Sequence, residues 1–199
     1  KSPGAIKTYD VDLTDPAALE LFVRDVAARY PTPTHLVHLP ALRVVNTRFK
    51  NFDEDRFERD MSVQIRSAVK LCKTFLPAMA KARQGRVLFM LTSYLLGAPP
   101  KNTAAYVMVK STLQGLAKSL AADYASFGVT VNCVMPSMME TKFLADTSDL
   151  IVQASAEANP MKRNARVEDV VPAMAFLLSE EAGFITGVTL PVTGGSAFL

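Results

Sequence analysis

A hydroxyl, a phenol and an ammonium stand close together in the middle of the chain, as Ser93, Tyr106 and Lys110. Tyr106 and Lys110 are four residues apart in a stretch that reads as helix, which puts both side chains on one face, one turn apart. A free phenol titrates near pH ~10 and an ammonium near ~10.4. A fixed positive charge beside the phenol favours the phenolate and is expected to draw its pKa toward neutrality, so Tyr106 is a candidate general acid/base. Ser93 ends the apolar run Val87-Leu88-Phe89-Met90-Leu91-Thr92. A buried strand there would deliver its hydroxyl to the carboxyl edge of a sheet, where it could hold a carbonyl oxygen beside the phenol. On spacing alone the plainer alternative is favoured, a solvated helix face with a half-buried tyrosine. The surroundings reverse that order.

The flanking chain alternates strand-like and helix-like segments. Ala5 to Val11 reads as a short strand, and Asp15-Pro16 as an N-cap with proline in the first helical position. The helix that follows should run to about Arg29, with Leu19, Phe22, Val23, Val26 and Tyr30 recurring at three- and four-residue steps. After the break at Pro31-Thr32-Pro33, His35 to Leu39 reads as a buried strand. Asp53 to Met61 and Ser62 to Lys81 form a helical tract with apolar residues on more than one side, which suggests a covered helix at a subunit interface. The tyrosine helix continues through Leu113, Leu116, Leu120 and Tyr124 until Phe127-Gly128 stops it. Val129 to Val134 is then a strand, Val167 to Ser179 a helix and Ile185 to Gly195 a closing strand. Residues 141–159 lack a clean period, which fits either an adaptable lid or a plain pair of surface helices. The alternation implies an α/β fold, a doubly wound parallel sheet with ligands at the carboxyl ends of its strands.

Composition narrows the class. With 199 residues, 49% hydrophobic and 21% charged, the chain suits one domain with a substantial core. The net charge of +3 is spread along helices, so nucleic acid is not indicated. Cys72 and Cys133 fall in apolar stretches without metal spacing and read as reduced core residues. His35 and His38 lie on one short strand, and local hydrogen bonding of His38 is expected rather than metal ligation. No run approaches the roughly 18 apolar residues of a membrane span, and no secretory pattern opens the chain, so a cytoplasmic location is the expectation.

In this register, Ser93, Tyr106 and Lys110 followed by a long helix resemble the catalytic segment of the short-chain dehydrogenase/reductase family. The likeness extends along the chain. Asp12-Leu13-Thr14-Asp15 is similar to the family's Asp-Val-Thr-Asp, which implies Asp12 near an adenine amino group; otherwise Asp12 merely ends a strand. His38, Leu39, Pro40 and Ala41 stand where the family has Asn-Asn-Ala-Gly beside the cofactor. Gln64 replaces an asparagine that marks a helix kink and helps a water reach the lysine. Pro136, Ser137, Met139 and Thr141 belong to a segment that resembles the Pro-Gly-x-x-x-Thr loop around the nicotinamide, with Ser137 for glycine. Ile185-Thr186-Gly187 to Val192-Thr193-Gly194-Gly195 is similar to the family's last strand.

The resemblance implies a Rossmann-like fold and an NAD(P)-dependent oxidoreductase. It would interconvert a ketone, such as a 3-oxoacyl thioester on an acyl carrier, and a secondary alcohol. Tyr106 would donate the proton, Ser93 bind the carbonyl oxygen, Lys110 lower the phenol's pKa and hold the nicotinamide ribose, and Gln64 support the relay. Tyr106 and Lys110 would thus also touch the cofactor, NADP or NAD. A homodimer or homotetramer is implied. Because no glycine lies between Gly4 and Gly85, the glycine-rich phosphate loop and first strands are expected in a further segment of roughly 40 to 60 residues ahead of Lys1. The substitutions at Leu39, Pro40, Gln64 and Ser137 keep open an alternative, a non-catalytic subunit that pairs with an active homologue.

Overall fold

A computed structural model describes residues 6–145 and 147–198. Among the described residues, six helices flank a four-stranded sheet in the order β1-β2-β3-β4, with every neighbouring pair parallel. The strands are β1 His35–His38, β2 Gly85–Met90, β3 Val129–Pro136 and β4 Thr189–Val192. The helices are α1 Pro16–Arg29, α2 Glu54–Met61, α3 Ser67–Ala82, α4 Ala104–Tyr124, α5 Asp149–Ala158 and α6 Val167–Leu178. The α/β, Rossmann-like reading holds. Asp15 caps α1 by accepting from the Ala17 amide at 2.8 Å, with Pro16 in the first turn as expected.

Strand alternation divides the core into two layers. Val87 and Phe89 of β2 join Val131, Cys133 and Met135 of β3 beneath α1, α3 and α4, while Leu88 and Val134 face Val170 and Leu177 of α6. All eight residues of β3 are buried, so its polar members need partners. Asn132 donates from Nδ2 to the Ile185 carbonyl at 2.8 Å and accepts from the Val188 amide at 3.1 Å, which fastens the approach to β4. The thiols of Cys72 and Cys133 are free and buried, each pushed up to about 12 by desolvation.

Several expectations need correction. Ala5 lies outside the described residues, and Ile6 to Val11 do not form a strand. A strand exists only through ladder bonds to a neighbour, and no described strand pairs with this one. Tyr9 instead ties the segment to α1, packing its ring on Phe22 with centroids 5.0 Å apart and donating to Asp25 at 2.9 Å. His38 is not satisfied locally: its Nε2 meets the Ser67 hydroxyl of α3 at 2.8 Å, and its Nδ1 is buried without a partner. In agreement with the kink implied at Gln64, a π-turn at Ser62–Arg66 interrupts the helical tract, and Val69 beyond it is 43% exposed within the chain. Residues 141–159 hold a short 3-10 turn and α5, and the closing strand is confined to Thr189–Val192.

Gly128 ends the 3-10 turn Ala125–Phe127 that follows α4, with φ of 74°, and a Cβ there would come within 2.6 Å of the Arg83 carbonyl oxygen. Arg83 is itself the left-handed cap of α3 and donates from Nη2 to the Ser126 carbonyl at 3.0 Å. Two helix ends are thereby locked together. Gly128→Ala should lower folding stability by about 1–3 kcal/mol, measured as a lower urea midpoint; an unchanged midpoint would mean the two ends separate without cost.

Candidate active site

Three carboxyl strand ends converge on one cavity of about 270 Å³. Beyond β1 come Leu39 and Ala41, beyond β2 Leu91, Thr92 and Tyr94, and at the end of β3 Pro136, Ser137, Met139 and Thr141. From the first two turns of α4, Tyr106 and Lys110 face the same space. Leu39, Ala41, Pro136, Ser137, Met139, Thr141, Tyr106 and Lys110, all singled out in the sequence, thus line one space. The structure gathers them because parallel strands all present their carboxyl ends on one edge.

Two of the expected catalytic residues stand apart from the cavity lining, Gln64 and Ser93. Ser93 opens a 3-10 turn, Ser93–Leu95, and is not among the residues lining the cavity. Thr92 and Tyr94, on either side of it, are. The buried Thr92 interacts with the Tyr106 phenol, and Tyr94 meets the Tyr106 ring edge-on with centroids 6.0 Å apart. Pro40 does not line the cavity either. Asp12 lies in the turn before α1, where one carboxylate oxygen accepts from the Thr14 amide at 2.8 Å and its hydroxyl at 2.7 Å. Those bonds hold its carboxyl below the ordinary range.

The electrostatics also differ from the sequence expectation. The Tyr106 phenol is pushed up to about 12, first by burial and further by Tyr94 and Asp60, with only Thr92 acting in the opposite direction. Lys110 is buried, and its Nζ donates to the Met90 carbonyl at 2.8 Å while sitting 5.8 Å from the Tyr106 ring centroid. The ammonium is engaged by a carbonyl and lies over the ring face, and desolvation prevails at the phenol. Desolvation likewise lowers Lys110 to about 8. At neutral pH the pair is a neutral phenol and an ammonium, the form that can give up a proton.

Gln64 is fully buried in the π-turn, donating from Nε2 to Asp60 at 2.6 Å, and its Oε1 has no partner. Asp60 is not apparent from the sequence because it stands in a strongly charged helix; only the π-turn directly after it signals that it turns inward. Among the described residues no group of His, Cys, Asp and Glu could hold a metal ion, and no helix is long and apolar enough to cross a membrane.

A family model described as enoyl-(acyl carrier protein) reductase matches residues 1–197. The chain is a short-chain dehydrogenase/reductase. As such it is an oxidoreductase that uses NAD or NADP. This reductase is similar to the 3-oxoacyl-[acyl-carrier-protein] reductase of Escherichia coli K12, at 32% identity over 185 residues, 93% of this chain and 75% of that protein. It is 28% identical to the acetoacetyl-CoA reductase of Allochromatium vinosum over 191 residues, covering 96% and 76%. Among solved structures, a Beutenbergia cavernae protein assigned as an NAD(P)-dependent gluconate 5-dehydrogenase, with bound NADP, superposes with a TM-score of 0.89. Its identity is 26%, over 97% of this chain and 77% of that one.

The residues present fit the nicotinamide end of the cofactor. Ser137 lines the cavity and its hydroxyl is buried without a partner, so a polar ligand group can satisfy it. Thr141, on the same loop, adds a second hydroxyl to the lining.

Proposed function

We propose that this reductase reduces the ketone of an apolar 3-oxoacyl thioester, with Tyr106 as the proton donor. The observation that carries the reading is that Tyr106, Lys110 and Thr92 line one cavity whose other walls are mostly apolar. Tyr106, protonated at neutral pH, donates to the carbonyl oxygen. Thr92, in place of Ser93, holds that oxygen in line with the phenol. Lys110 keeps a positive charge beside the phenolate as it forms. Ser137 and Thr141 hold the nicotinamide carboxamide, Lys110 its ribose, and Leu39 and Ala41 pack beside it, while Asp12 serves the adenine end. The cofactor, when bound, supplies the hydride.

Substrate class follows from the walls. Val44, Met90, Met138, Phe143 and Leu144 offer no hydrogen bond that could offset the burial of a polyol's hydroxyls. An acyl chain fits this lining, and relatives that act on 3-oxoacyl carriers and acetoacetyl-CoA support it. The acyl-carrier partner and a self-associated dimer or tetramer belong to the same proposal.

The test is NADPH- or NADH-dependent reduction of a 3-oxoacyl thioester, with gluconate oxidation as the control. Turnover of gluconate but not of the thioester would reject the substrate class, and turnover of neither would favour the non-catalytic subunit. In the same assay Thr92→Val should cost about 10²-fold in kcat/KM, while Ser93→Ala stays near wild type. The reverse order would return the carbonyl contact to Ser93.

A further inference from the structure

Six polar side chains line the larger cavity: Thr92, Tyr94, Tyr106, Lys110, Ser137 and Thr141. Five of them serve the proposed reaction, at the ketone or along the nicotinamide, and Tyr94 does not. A hydroxyl set among apolar walls is costly to bury unless something bonds to it. Tyr94 is partly buried, and among the described residues its one hydrogen bond is at the backbone, where its amide donates to Thr92 Oγ1 at 3.4 Å.

That bond sets the place of the ring. Thr92 caps the 3-10 turn Ser93–Leu95, and the turn brings Tyr94 from the end of β2 against Tyr106 of α4. The two rings stand at 83° with their centroids 6.0 Å apart, so phenols from two different elements line one cavity side by side. Burial pushes the Tyr94 phenol above its ordinary value, which keeps it an O–H donor through neutral pH.

The substrate proposed above has a second oxygen to place. In a 3-oxoacyl thioester a single methylene separates the ketone from the thioester carbonyl. A molecule whose ketone oxygen meets Tyr106 and Thr92 therefore carries its other carbonyl oxygen close by, and Tyr94 is the lining donor that packs against Tyr106.

We propose that Tyr94 is a specificity-determining residue that donates to the thioester carbonyl while Tyr106 serves the ketone, so that the cavity selects a 1,3-dicarbonyl over an isolated ketone. The assignment rests on the reading that the ketone of such a thioester is held at Tyr106 and Thr92, and it adds the partner of the second oxygen. Without that donor the second oxygen is buried unpaired, at a cost of about tenfold in affinity.

Two probes isolate this oxygen. One is acetoacetyl-N-acetylcysteamine, and the other is the 3-oxobutyl thioether of N-acetylcysteamine, in which a methylene replaces the thioester carbonyl. Each is titrated calorimetrically into the protein in the presence of NADP⁺ or NAD⁺, which has no hydride to give, so binding is read without turnover. Wild type should favour the thioester, and Tyr94→Phe should reduce that preference, the ratio of the two dissociation constants, by about tenfold. A ratio that the substitution leaves unmoved, or a wild type that binds neither probe, would overturn the proposal. If Tyr94→Phe does not fold, Tyr94→Leu takes its place and the same ratio is read. Reduction is scored separately: a wild type with this preference and no turnover rejects the reductase reading and retains the role of Tyr94 in recognition, whereas turnover of the thioester with an unmoved ratio does the reverse.

Discussion

Tyr106→Phe keeps the fold and loses carbonyl reduction by about 10²–10⁴-fold, the range expected when a positioned general acid is removed. The substitution deletes one oxygen and nothing else. The ring remains against Tyr94 and in van der Waals reach of the apolar lining, so the melting curve should hardly move. Its loss also releases the Thr92 hydroxyl from its interaction with the phenol, a small effect at a site open to the cavity. Circular dichroism and the reductase assay on one preparation decide the matter. Turnover within a few-fold of wild type would remove Tyr106 from the chemistry.

Lys110→Met should separate activity from stability even more sharply. Activity is expected to fall by about 10²-fold or more, since the charge beside the forming phenolate is gone. Stability should move far less, because a buried ammonium with one hydrogen bond to a backbone carbonyl is replaced by an apolar chain of similar length, while the buried Asp60 loses a favourable charge. The pH dependence supplies the sign. Lys110 titrates near 8 in the folded protein and near ~10.4 when free, so between those values the unfolded chain binds more protons. Wild-type stability therefore gains from Lys110 as pH rises through that window, and the variant lacks this gain. Urea unfolding at neutral and alkaline pH measures the difference; identical slopes for the two proteins would contradict the burial of a charged Lys110.

Local signals wrote much of this fold openly. Asp15-Pro16 marks the start of α1, Phe127-Gly128 the end of the 3-10 turn that closes α4, and mostly apolar runs the buried β2 and β3, because caps, left-handed turns and burial act within a few residues. That Tyr106 and Lys110 share one face of α4 was legible for the same reason. The position of Ser93 outside the cavity lining was not, since which of three consecutive residues faces a cavity depends on how the chain leaves its strand. Thr92 and Tyr94 take the positions that a one-residue difference in phase decides. Burial inverted the expected effect of Lys110 on the phenol, and burial is a property of the assembled fold rather than of spacing. The segment from Ile6 to Val11 carries a strand's composition, yet composition names no partner for its ladder.

The π-turn at Ser62–Arg66 makes chain length itself a determinant of the site. A helix advances about 100° per residue, so the wide turn rotates everything before it relative to everything after it. That rotation is what brings Asp60 inward while α3 still lays Cys72, Leu76 and Met79 on the sheet. Deleting one residue between 62 and 66 would give a more regular helix with better backbone bonding. The deleted chain would keep every side chain discussed above and lose their alignment, a gain in regularity that leaves the carboxylate facing solvent.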